Sequence, residues 1–181
     1  GRGAMIRVDG GPAAVAGSIN IAFRAQLVVP EQRQLYDYWI EKACGRPMPD
    51  RGDVHPAHIP RLLPNISLID VDPRSGDCRI RLAGTRLRDV YDREITGLGI
   101  GDLDFGDKRD YWMQAYRRTI EESKPTQGVV RGPRVNKEHL VQYWLKLPLR
   151  RSGSTGVGMI LCLDHFQSAT EDEMALPQIS A

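Results

Sequence analysis

The side chains best placed for chemistry gather in His55-Pro-Ala-His58, with Asp53 just ahead. Histidines at i and i+3 of a helical turn share a face and could ligate a metal, with Asp53 adding an oxygen. A structural zinc site needs four ligands, and no cysteine or third histidine is near in sequence. Metal is therefore not expected, and His55 and His58 stand only as weak candidates. The better reading is a helix start with Asp53 or His55 near the cap. Gly97-x-Gly-x-Gly101 has glycine spacing suggestive of a phosphate loop. A phosphate cradle needs a strand before the glycines and a helix directly after them. Here Asp102, Asp104 and Asp107 follow and would repel phosphate, so a flexible loop is expected. His139 and His165 could face a cleft, yet no serine or cysteine stands in a Gly-x-Ser-x-Gly elbow. Asp70 and Asp72 read as solvating groups beside a turn. No catalytic residue is assigned, and no enzymatic activity is expected.

Composition narrows the partners. With 41% hydrophobic and 27% charged residues, the chain is a globular protein rather than a disordered one. A net charge of +2, with arginines interleaved among acids, does not supply the basic face that nucleic acid requires. No apolar run approaches the twenty or so residues of a membrane span. Ala13 to Phe23 is broken by Gly17, Ser18 and Asn20, which makes a poor signal peptide. Cys44, Cys78 and Cys162 have no Cys-x-x-Cys spacing, so reduced thiols and a cytoplasmic location are expected.

The elements that position these residues follow from periodicity. Residues 1–29 are rich in glycine and alanine and read as an N-terminal arm. Helix should begin at Pro30, whose missing N–H is not needed in a first turn. Leu35, Trp39, Ile40 and Ala43 form its apolar stripe, and Gly45 and Pro47 stop it. The prolines between His55 and Pro64 allow only a short helical turn. Strands are expected over Asn65–Asp72 and around Cys78, Ile80 and Leu82, joined by a Pro73–Gly76 turn. Leu87, Val90 and Tyr91 suggest one or two helical turns. From Asp107, the residues Tyr111, Trp112, Ala115, Tyr116, Thr119 and Ile120 mark a long amphipathic helix that ends at Pro125. Strands at Thr126–Arg134, Glu138–Arg150 and Gly156–Phe166 follow, then a polar tail over 167–181.

Period-two alternation groups Val141, Tyr143, Leu145 and Leu147 on one face, against Leu140 and Trp144 on the other. The last strand sets Val157, Met159, Leu161 and Leu163 against Ile160 and Cys162. Both faces are apolar, so both must be covered. The expectation is that the Leu35 and Trp39 stripe covers an outer face carrying Leu140, Trp144 and Ile160, in this chain or in a dimer mate. The long helix would then cover the inner face, leaving a pocket bounded by Tyr91, Trp112, Tyr116, Tyr143 and Met159.

Leu35-Tyr-Asp-Tyr-Trp39, the Met48-Pro49 and Arg51 loop, Asp53 with Pro56, Ile59-Pro-Arg-Leu-Leu-Pro64, Arg81-Leu-Ala-Gly-Thr85 and Thr96-Gly97 together resemble a PAS-like family. That family is widespread in alphaproteobacteria, and in it a single PAS domain makes up nearly the whole protein. The resemblance covers about Leu35 to Phe166, with a departure at His55 and His58. It implies an α+β fold over 30–166: a five-stranded antiparallel sheet with helices on one face and the N-terminal helix on the other.

The resemblance implies a non-enzymatic sensory or signalling module that binds a small ligand, a protein partner or both. No output domain is recognised in the chain, so a homodimer and a separate signalling partner are expected. Flavin photoreceptors of this fold carry an Asn-Cys-Arg-Phe-Leu-Gln-like helix, and no cysteine lies between Cys78 and Cys162. Haem relatives need an axial histidine that 102–123 lacks. Neither flavin photochemistry nor haem is expected; a small apolar ligand oriented by phenolic hydroxyls remains. The alternative is a small α+β cavity enzyme or ligand carrier of the ketosteroid-isomerase kind, which calls for a deep pocket around an aspartate or histidine of perturbed pKa.

Overall fold

The computed structural model describes residues 20–171 and 174. Helix α1, Pro30–Ala43, starts on its proline and ends at Cys44 in the left-handed region, whose N–H returns to Glu41 O. Its buried stripe is Gln32, Leu35, Tyr36, Trp39 and Ala43, the i, i+3, i+4, i+7 pattern of a helix lying on a core. The described part of the expected arm packs here as well: residues 20–26 are helical, Leu27 and Val29 are buried, and Arg24 pairs with Asp37. The remainder of that arm lies outside the described residues.

Short 3-10 turns, Arg51–Asp53, Pro56–His58 and Leu63–Asn65, fill the proline-rich stretch. Asp50 and Asp53 cap the first reciprocally, and His55 precedes the second without a side-chain cap bond. Strands β1, Ile66–Val71, and β2, Cys78–Ala83, then form a hairpin. Helix α2, Thr85–Tyr91, leads into an irregular run up to α3, Arg109–Glu122. Strands β3, Thr126–Arg131, β4, Leu140–Arg150, and β5, Val157–Ser168, close the domain. Gly132 at φ +64° and Asn136 at φ +63° belong to the turn that replaces the last residues expected of β3.

The five strands form one antiparallel sheet in the order β2-β1-β5-β4-β3, with helices on both faces. Helix α1 is fastened to its face by side chains that reach strand carbonyls. Gln32 Nε2 donates to Tyr143 O and Leu163 O, both at 3.1 Å, and Trp39 Nε1 donates to Pro148 O at 2.9 Å. Pro148 is tolerated in a long strand because β3 pairs β4 only as far as Lys146, so no ladder donor is missed.

The faces are assigned opposite to expectation. Trp144 packs against Trp112 and Tyr111 of α3, and Ile160 pairs with Ile69, which faces α3. Leu140 shares the parity of Trp144. Tyr143 and Met159 lie on the α1 face, in register with His165 and Leu149. The expected grouping by parity holds, but alternation cannot say which of two apolar faces receives which helix. The α1 cover therefore lies over Leu145, Leu147, Leu149, Leu161 and Leu163.

Trp144 reaches α3 because the residue opposite it on β3 is Gly128. A Cβ there would stand 2.6 Å from the indole ring. Gly128→Ala should lower the unfolding free energy by about 1–3 kcal/mol, the usual cost of overpacking. Urea denaturation followed by tryptophan fluorescence checks this; an unchanged midpoint contradicts the packing described.

Candidate functional site

The space between the sheet and α2 and α3 is a nearly filled cavity of about 30 Å³, room for little more than a water. Its aromatic wall is Tyr91 from α2, Phe105 from the irregular run, and Trp112 and Tyr116 from α3. The sheet contributes Ser67, Ile69 and Ile80 together with three polar side chains: Gln142 and Lys146 of β4 and Asp164 of β5. Tyr91, Trp112 and Tyr116 are thus brought together as the sequence indicates, whereas Tyr143 and Met159 lie across the sheet. Tyr143 packs its ring near His165 there, and its hydroxyl accepts a bond from Gln167 Nε2 at 3.3 Å.

Lys146, 2% exposed, is the centre of the site. Its Nζ sits 4.1 Å from the Tyr116 ring centroid and 5.2 Å from those of Trp112 and Trp144. Each ring offers its electron-rich face to the ammonium. The rings are themselves held. Trp112 Nε1 donates to Pro133 O at 2.9 Å, and Trp144 Nε1 donates to the Tyr111 hydroxyl at 2.8 Å.

Asp164 and Gln142 complete the polar group. Gln142 Nε2 donates to Asp164 Oδ1 at 2.7 Å, and both side chains are buried. That bond fixes the amide orientation, leaving Gln142 Oε1 buried with no hydrogen-bond partner. Burial raises the Asp164 carboxyl above its ordinary value of 3.8, against the opposing pull of the Lys146 charge and the Gln142 bond. Burial likewise pushes the Tyr91 and Tyr116 phenols up, and the Cys162 thiol up to about 11. The two phenols and the thiol are thereby held in their neutral forms, suited to hydrogen bonding rather than nucleophilic attack.

Arg134, from the β3–β4 turn, packs beside Tyr91. Its guanidinium lies 5.5 Å from the Tyr91 ring centroid, donates to Val90 O at 3.1 Å, and pairs with Asp92 and Asp104. His55 and His58 are far along the chain from this group, with rings edge-on at 5.1 Å. His58 Nδ1 stands 3.0 Å from the Tyr38 hydroxyl, which also accepts the His55 N–H. Among the described residues no three His, Cys, Asp or Glu side chains gather as a metal site.

The polar trio escaped the sequence reading. Lys146 lies between Leu145 and Leu147, and Asp164 follows Leu163, charged residues alternating with apolar ones within strands, a pattern that ordinarily marks a solvent-facing position. The overlooked signal is that Gln142, Trp144 and Lys146 share one parity of β4, on a strand whose other parity is wholly apolar from Leu145 to Leu149.

A carboxyl whose pKa is raised by folding takes up protons in the folded state. Its contribution to stability is therefore greatest below 3.8 and declines as pH rises toward the folded value. The wild type should lose stability relative to Asp164→Asn as pH rises from about 3.8 toward neutrality. Thermal melts of both proteins across that range check the sign; parallel curves contradict it.

Among proteins of curated function, none matches the sequence. Solved structures that resemble it include a light-oxygen-voltage domain studied with a flavin analogue: 16% identity and TM-score 0.47, covering 64% of this chain and 84% of that one. The LOV protein of Rhodobacter sphaeroides is similar at 17% identity and TM-score 0.45, over 59% of this chain and 61% of that one. A family profile described as a PAS domain matches residues 27–162, a stretch that takes in every element from α1 to the middle of β5. With three quarters of its length inside that profile and a sheet of the corresponding kind, the chain belongs to the PAS domain family.

Proposed function

We propose that the protein is a non-enzymatic sensory module whose input is a small ligand held between α3 and the inner face of the sheet. Its output passes to a protein partner or to a second copy of the chain. One observation carries this reading: the buried, unpartnered Gln142 Oε1 in an aromatic cavity that also holds Lys146 and Asp164. A buried acceptor without a donor costs about 1–3 kcal/mol, and a ligand that supplies the donor recovers it. The unpaired cysteines fit a reducing compartment such as the bacterial cytoplasm.

The cavity-enzyme reading draws on one specific feature, the raised carboxyl of Asp164. That reading calls for a deep pocket around the carboxyl, whereas Asp164 is tied to Gln142 beside about 30 Å³ of free space. The sensory reading fits better.

A thermal-shift screen of small metabolites tests it. At least one compound should raise the melting temperature of the wild type and of Tyr143→Phe, which lies on the α1 face. The same compound should leave Gln142→Leu and Tyr116→Leu unmoved. A screen with no stabilising compound, or stabilisation that survives both cavity variants, contradicts the reading.

A further inference from the structure

The His55 and His58 pair, too small by itself to hold a metal, gains a third donor when the chain folds. The Pro56–His58 turn is a 3-10 helix, closed by His58 N–H donating to His55 O at 2.9 Å. In such a helix side chains three positions apart eclipse one another. The two imidazoles accordingly stand together, ring centroids 5.1 Å apart, and both are exposed to solvent. Tyr38 of α1, 17 positions before His55, brings its hydroxyl to the same place. Tyr38 Oη and His58 Nδ1 share one proton across 3.0 Å, and the oxygen also accepts the His55 N–H at 3.1 Å. Asp53, the oxygen that the sequence suggests, is taken instead by Arg46 and by the Asp50 N–H.

The distances are those of an ion-binding set. Two donors 3.0 Å apart, each about 2.0 Å from one ion, subtend roughly a right angle there. Two imidazoles bound at that length, about 90–110° apart, have centroids about 4.5–5.2 Å apart. The observed 5.1 Å lies inside that range. Near-right angles among nitrogen and oxygen donors suit Cu2+ or Ni2+ better than tetrahedral zinc. Lys42 Nζ lies over the face of the Tyr38 ring, 5.6 Å from its centroid, which leaves the hydroxyl edge to the ion.

We propose that Tyr38, His55 and His58 bind a divalent transition ion of the copper type, with water completing the coordination. Each histidine gives a ring nitrogen, Nδ1 in the case of His58, and Tyr38 gives its phenolate oxygen. The ion takes the place of the proton between Tyr38 and His58, and that proton passes to solvent. Bound there, the ion ties α1 to the turn ahead of β1, a link independent of the cavity under α3.

Titration of the whole protein with Cu2+ tests this, in a Cys44→Ser background that removes the exposed thiol able to reduce the ion. Absorption spectroscopy reads the site, because phenolate bound to Cu2+ gives a visible charge-transfer band that an imidazole or a terminal amine does not. One ion should bind with that band. His55→Ala and His58→Ala should each weaken binding tenfold or more, and Tyr38→Phe should abolish the band. The histidines are exposed and the Tyr38 ring is kept, so all three variants should give the far-ultraviolet circular dichroism of the wild type. The absence of the band, a band that survives Tyr38→Phe, or an affinity unchanged in either histidine variant marks an adventitious ion only and overturns the proposal.

Discussion

An ammonium group is buried in the middle of this protein, and the fold is arranged around it. Withdrawing such a charge from water costs several kcal/mol, and Lys146 is compensated by three ring faces and, through space, by Asp164. Each favourable ring contact is worth up to about 2 kcal/mol when desolvated. The arrangement therefore requires all three rings at once. Two of them come from α3, which must cross the sheet over β4, and the third comes from β4 itself. Trp144 can lie there only because β3 has no side chain at Gly128. The Thr119 and Thr126 hydroxyls, 2.7 Å apart and buried, join the end of α3 to the start of β3 and hold that crossing in place.

The same strands bear α1 on their other face. Gln32 holds the carbonyls of Tyr143 and Leu163, the residues adjoining Gln142 and Asp164 in the chain. The polar group under α3 and the fastening of α1 are thus one peptide apart on both strands. A change in the Gln142–Asp164 pair bears directly on the backbone that α1 grips. The sheet thus carries a buried polar group on one face and the fastening of α1 on the other.

Much of this was legible in the chain. The stripe of Leu35 and Trp39, the spacing of Tyr111, Trp112, Ala115 and Tyr116, and the alternation in β4 and β5 mark elements that the structure contains. The allocation of faces was not legible, because Leu145, Leu147 and Leu161 are as suited to one helix as to another. The rule that charges face water hid Lys146 and Asp164: within one strand, nothing local separates a solvated lysine from one enclosed by rings that arrive from elsewhere in the sequence. Gln32 was hidden for the same reason, a polar residue in an apolar stripe whose partners are carbonyls over a hundred positions away. Gly128 reads as a flaw in a strand until Trp144 is seen opposite it.

The enclosure of Lys146 is open to direct observation by lysine side-chain NMR with 15N-labelled protein near neutral pH. The account predicts one ammonium whose protons are shifted upfield by ring currents and protected from exchange with water, and whose signal disappears in Lys146→Arg. A spectrum in which the Lys146 signal has the shift and rapid exchange of a solvated lysine would contradict it.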